Sequence, residues 1–258
     1  MRFLYLSTCL AFVSFSSHAK TLGLEMLWNG MPVSPACFSA LDPAEGNGPS
    51  EINLSECSAN VENIKKEDNH RFAIEYAEGG YDLYAINDVK GNDYLVTYIW
   101  NGGGAGHFSS GMLVTTDEGI LKVKERIPGG DRCNGGLISL KLDDDGKALA
   151  TRWATPSDFP YIAYGEDRGI EPYRDLEGSA SSCVAKVTEK DDALVSVELA
   201  DMSTEESEWV NSYTYQKCFN SIVASQRKNK AVLEPDEFKK FMDEFFAQCV
   251  GNGKGSNP

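Results

Sequence analysis

An α+β fold is predicted, built mainly on an antiparallel β meander of about nine strands, a sandwich or open barrel, with a disulfide-stapled helical hairpin at the C-terminus. Three observations carry that reading. From Arg71 to Ala200, short runs rich in Val, Ile, Leu, Tyr and Thr alternate with turn residues. After Ala200 the apolar period changes from that of a strand to that of a helix. Cys37, Cys57, Cys133, Cys183, Cys218 and Cys249 remain once the N-terminal leader is set aside, an even number that reads as disulfides in an oxidising compartment.

Residues 1–19 read as a signal peptide: Arg2, an apolar run over 3–15, then Ser17-His18-Ala19 with small residues where a signal peptidase cuts. That run falls short of the roughly 20 apolar residues a membrane span needs, and no later stretch reaches it. The expected product is periplasmic or secreted, without a membrane span. Residues 20–70 form a second segment, opening with a hairpin. Apolar residues flank Asn29-Gly30, a pair that tolerates the positive φ angles of a type I′ turn. From Asp42 to His70 the chain turns polar, predicting loop with a short helix near 61–66.

The meander occupies 71–200. Its strands are expected over 72–76, 82–86, 94–100, 107–115, 120–127, 137–142, 148–153, 183–188 and 194–199. Alternation is clearest in 138–142 and 194–199, which predicts strands with one wet face. In a meander the connections fall alternately at the two ends of the sheet. Turns at 90–92, 117–119, 143–146 and 189–192 are short and mostly acidic; those at 78–80, 101–106, 128–136 and 154–182 are longer and Gly-rich, as where a rigid scaffold presents function. Cys133 and Cys183 fall at the long-loop end and are expected to bond; Cys37 with Cys57 would then close the N-terminal segment, and Cys218 with Cys249 the C-terminal one.

Within 201–250, Ser203 and Glu206 offer a capping box for a helix reaching about Ala224. Pro235 starts a second helix whose apolar residues, Phe238, Phe241, Met242, Phe245, Phe246, Cys249 and Val250, share one face. That face is expected to pack on the sheet, and the tail 251–258 to be disordered.

Asp and Glu number 39 against 24 Lys and Arg, giving a formal net charge of −15. Such a surface repels nucleic acid and anionic lipid and attracts a basic exported protein with a salt-dependent rate. No cofactor or metal is expected. The glycine-rich 101–106 is followed by a strand instead of a phosphate-binding helix. Around Asp143 and Asp145 the outer positions of a calcium loop hold Lys141 and Arg152, and no C-x-x-C pair exists. His107 with Ser109 or Ser110, and Asp131 or Asp158 as orienting carboxylate, is the one arrangement suggesting a hydrolase of cell-envelope or extracellular polymer. Thr155, Pro156 and Asp158 suggest one capped helical turn, and Trp153 and Tyr161 a carbohydrate-binding platform as a third reading.

The leading expectation is a non-enzymatic binding or inhibitory protein that meets its partner at the long-loop end. Its candidate contact residues are Asn101, His107, Asp131, Arg132, Asn134, Trp153, Asp158, Tyr161 and Arg168.

Overall fold

The computed structural model describes residues 24–42, 48–58, 63–68, 70–201 and 212–251. The predicted leader, the Ser203–Glu206 capping box and all but the first residue of the predicted tail lie outside them. The hairpin forms as expected from β1 (Leu27–Trp28) and β2 (Met31–Pro32), with Asn29 and Gly30 at φ of 51° and 78°. It leads into α1 (Pro35–Leu41), started by Ser34, whose side chain accepts from the Ala36 N–H, with Pro35 in the first turn.

The polar stretch that follows contributes β3 (Glu51–Asn53), the one-turn α2 (Leu54–Cys57) and β4 (Lys65–Lys66). Lys65 and Lys66 therefore form an edge strand against Ala73 and Phe72, where a short helix was expected near 61–66. Tertiary pairing with an existing sheet edge outweighs the local helical preference of lysine.

All nine predicted strands are present. They are β5 (Arg71–Glu75), β6 (Tyr81–Lys90), β7 (Asp93–Asn101), β8 (Phe108–Asp117), β9 (Ile120–Asp131), β10 (Leu137–Leu142), β11 (Ala148–Ala154), β12 (Ala185–Lys190) and β13 (Ala193–Leu199). Consecutive strands pair antiparallel, but the chain changes sheet after β9. One sheet is a curled seven-stranded half-barrel in the order β3-β9-β8-β7-β6-β5-β4. The other has the order β10-β11-β12-β13-β14, ending on β14 (Val232–Leu233). At the switch the backbones come so close that a side chain on Gly129 would strike the Ser109 carbonyl, and one on Gly130 the Asn134 carbonyl.

One face of the half-barrel is covered by α1 and the N-terminal hairpin, burying Met26, Phe38, Leu41, Phe72, Tyr84 and Tyr98. Its other face packs Leu95, Leu113 and Ile127 against Leu140, Ala148 and Ala150 of the second sheet. The rest of that second sheet's inner face, including Ala185, Val187, Val197 and Leu199, is covered by α3 (Phe159–Tyr164), α4 (Gln216–Asn229) and α5 (Pro235–Phe245). Phe159 sits at the centre, its ring 5.1, 5.3 and 6.2 Å from those of Phe219, Phe238 and Phe241. The second sheet's outer face is wet, carrying Thr151, Thr188, Lys186 and Glu198, as the alternation predicted.

The three disulfides are Cys37–Cys57, Cys133–Cys183 and Cys218–Cys249, as paired from the sequence. They close separations of 20, 50 and 31 residues. On the chain-entropy argument each stabilises by about 3–4 kcal/mol. Among the described residues no helix is long and apolar enough to cross a membrane.

Candidate functional site

Three of the four long connections meet at one rim of the half-barrel. Asn101 is buried and organises its own loop: its Nδ2 donates to the carbonyls of Gly104 and Gly106, and its Oδ1 accepts from Gly103 N at 2.7 Å. Gly80, in the neighbouring turn, lies so near that a Cβ there would sit 2.7 Å from the Asn101 carbonyl. His107 joins this loop to the next, its Nδ1 lying 2.9 Å from the Tyr81 hydroxyl and its N–H donating to Asp131 at 2.8 Å.

The Arg132 guanidinium donates to both Asp131 oxygens, and that bond first, followed by the His107 N–H, holds the Asp131 carboxyl below the usual aspartate range. Asn134 closes the turn, its N–H donating to the Asp131 carbonyl. The fourth connection reaches the same rim through its far end, where Cys133 N donates to Ala180 O beside the Cys133–Cys183 bridge.

The other predicted contact residues sit elsewhere. Asp158 is spent as a cap, accepting from Thr155 N at 2.7 Å and from the Thr155 hydroxyl at 2.8 Å. This is the capped turn expected from Thr155-Pro156. Arg168 lies over the rings of Tyr164 and Phe246, 4.5 and 4.8 Å from their centroids, against α5. Tyr161 is exposed beside a crevice of about 500 Å³ that runs along β9 to Asp191 and Asp192 at the acidic-turn end.

Arg152 borders the same crevice, held to Glu189 by two bonds of 2.9 and 2.8 Å. Since successive strand residues face opposite ways, Trp153 points to the wet side of the sheet, under Lys186. Trp153 and Tyr161 thus lie on different faces.

The serines near His107 have other partners. Ser109 Oγ donates to Gly130 O at 3.3 Å and accepts from Leu137 N at 2.8 Å, tying the two sheets, while Ser110 donates to Asp42. His107 uses its ring on Tyr81, so neither serine hydroxyl is bonded to the imidazole in this arrangement.

Beyond the end of α1, the α1-covered face of the half-barrel opens into two clefts divided by Trp100. One, of about 530 Å³, is lined by Ser39, Tyr76, Glu78, Asp82 and Trp100 with the backbone of the Gly80 and Asn101 turns. The other, of about 360 Å³, is lined by Asp42, Phe108, Ser110, Arg126 and the 127–130 backbone. Cross-strand register builds the divider: Trp100 stands opposite Asp82 on one side and Phe108 on the other, and the Trp100 and Phe108 rings stack at 4.3 Å.

Asp82 is 6% exposed, and its two oxygens accept from Tyr76 at 2.5 Å and Tyr98 at 2.7 Å. Burial first, with the Asp82 charge adding to it, pushes both phenols above the usual tyrosine range, so they stay protonated donors. Composition and turn lengths did not single these residues out. The available signal was a carboxylate inside the apolar run Tyr81-Asp82-Leu83-Tyr84, which a folded chain keeps only where hydroxyls or a ligand meet it.

Among the described residues no group of three or more His, Cys, Asp or Glu side chains is placed to hold a metal ion. Comparison with protein-family models, curated proteins and solved structures returns no match, so the site is read from its own chemistry.

Proposed function

We propose that this is an exported, disulfide-stabilised binding or inhibitory protein that engages a basic partner protein at the rim of the half-barrel. The observation that carries the reading is the convergence of the 78–80, 101–106 and 128–136 connections beside two aromatic-walled clefts whose side-chain charges are mostly acidic. Asp42, Glu78, Asp82 and Asp131 stand there with two arginines that are already occupied. Arg132 is paired with Asp131, and Arg126 donates to the carbonyls of Leu41, Gly48 and Pro49. A rim of that sign steers a cationic surface toward itself and keeps anionic polymers away.

Three cross-links support export, since such bonds persist in oxidising compartments. The test is affinity capture from the protein's own exported fraction, with the bound protein identified and its binding followed as salt rises from about 0.05 to 0.5 M. A basic partner whose affinity falls with salt, and falls further for Asp131→Asn, is expected. Binding that is indifferent to salt and to rim substitutions refutes the proposal.

A further inference from the structure

We infer that the cleft bounded by Tyr76, Glu78, Asp82 and Trp100 is a pocket for one cationic side chain, arginine or lysine, presented by the partner; this rests on the reading of a basic protein partner given above. The inference follows from which groups have hydrogen-bonding capacity left. The hydroxyls of Tyr76 and Tyr98 both donate to Asp82. These donors are turned inward, while a carboxylate retains acceptor positions beyond the two they fill. Exposed Glu78 adds a second carboxylate, and the described residues lining the cleft include no Lys, Arg or His.

The site therefore offers two negative charges and free acceptors beside the indole of Trp100 and the ring of Tyr76. Carboxylates beside an aromatic wall are the surroundings that favour an ammonium or guanidinium group, through charge-assisted hydrogen bonds and the cation–π attraction. The two tyrosine hydroxyls are spent on Asp82 and so are not available as donors to a sugar, and the two carboxylates repel an anion. The cleft across Trp100 differs in this respect: it contains Arg126, whose charge is fixed by three backbone carbonyls, so the two sides of one tryptophan have different selectivity. At about 530 Å³ the first cleft has room for a single long side chain entering from the rim.

The experiment titrates the full-length protein with acetyl-Gly-Arg-Gly-amide, its lysine counterpart, and the citrulline peptide, which keeps the shape of arginine without its charge. Binding is followed by calorimetry and by the indole signal of Trp100 in NMR. Saturable binding of the arginine or lysine peptide is expected, with the citrulline peptide weaker by at least about tenfold. Glu78→Gln, at an exposed position, should weaken the cationic peptide severalfold, and Asp82→Asn should reduce it further in protein shown to be folded by circular dichroism.

Equal binding of arginine and citrulline peptides, or cationic binding unchanged in Glu78→Gln, overturns the inference whether or not the Asp82 variant folds. Salt-sensitive capture of a basic protein by Glu78→Gln at full strength keeps the rim and removes this pocket. A pocket that binds the peptides while no basic protein is captured removes the functional reading instead.

Discussion

The helical side of the second sheet and the open end of the half-barrel both bury aromatic rings, and they do so under opposite conditions. Around Phe159 the rings of Phe219, Phe238 and Phe241 meet edge to face with no polar atom required among them, and Cys218–Cys249 ties α4 to the turn following α5. At the open end, Tyr76, Tyr98 and Trp100 surround a buried carboxylate; Tyr98 is itself buried in the core under α1, whereas Tyr76, Asp82 and Trp100 line a cleft. The first arrangement gains from apolar contact alone. The second needs each polar group answered, because an unanswered one costs about 1–3 kcal/mol. The difference teaches where the molecule is closed for stability and where it leaves an open face, the one proposed above to meet a partner.

The largest expected effect breaks the closed side: Phe159→Ala should cost about 3–5 kcal/mol in denaturant unfolding, since three rings lose their common neighbour. A loss below about 1 kcal/mol would show that this cluster is loosely packed and the contrast unfounded. Next, replacing Cys133 and Cys183 by serine should cost about 2–4 kcal/mol in the same assay and loosen the 128–136 and 154–182 connections in hydrogen exchange. If the loosening appears instead around α4, the bridge does not hold the rim.

Tyr98→Phe sharpens the comparison on the open side. It removes one donor to a charged, buried Asp82, so a destabilisation of about 1.5–3 kcal/mol is expected, more than the same loss of a hydroxyl would cost at the exposed Tyr161. The smallest effect is a pH dependence confined to the rim. Asp131 is held below the ordinary aspartate range first by Arg132, so its stabilising bond to the His107 N–H is fully present above the unfolded value, about 3.9, and is lost as pH falls through the lower folded value. The Asp131 carboxyl carbon shift in NMR should therefore stay constant from pH 7 to about 4.5 and move only below that. A midpoint at or above about 3.9 would mean that Arg132 and the His107 N–H do not hold the carboxylate.

Legibility followed the reach of the interactions. The nine strands, the type I′ turn at Asn29-Gly30 and the capped turn at Thr155 rest on patterns a few residues long, and they could be read directly. The disulfides followed from one further step, that meander connections alternate between ends. The helix at Pro35 and the edge strand at Lys65 were missed, since both are stabilised by covering or extending a sheet formed far along the chain. Of the predicted contact residues, Asn101, His107, Asp131, Arg132 and Asn134 do meet at the rim, because strand order alone brings them there. Trp153 and Tyr161 lie beside the 128–136 connection without joining that hydrogen-bonded cluster, and Arg168 packs on Tyr164 and Phe246, because the path of a long connection depends on which of its side chains find a core.

Local patterning and cysteine count determined that this chain forms an antiparallel meander with three cross-links and a helical end. Only the tertiary structure decided that the meander splits into two sheets between Asp131 and Leu137, and that Asp82, Tyr76 and Trp100 line one cleft while buried Tyr98 bonds the same carboxylate. The physical reason is distance along the chain. Alternation within a strand reports which side of a sheet a residue faces, whereas the neighbours it meets there are set by register between strands and by what covers them, and neither is written in any single segment.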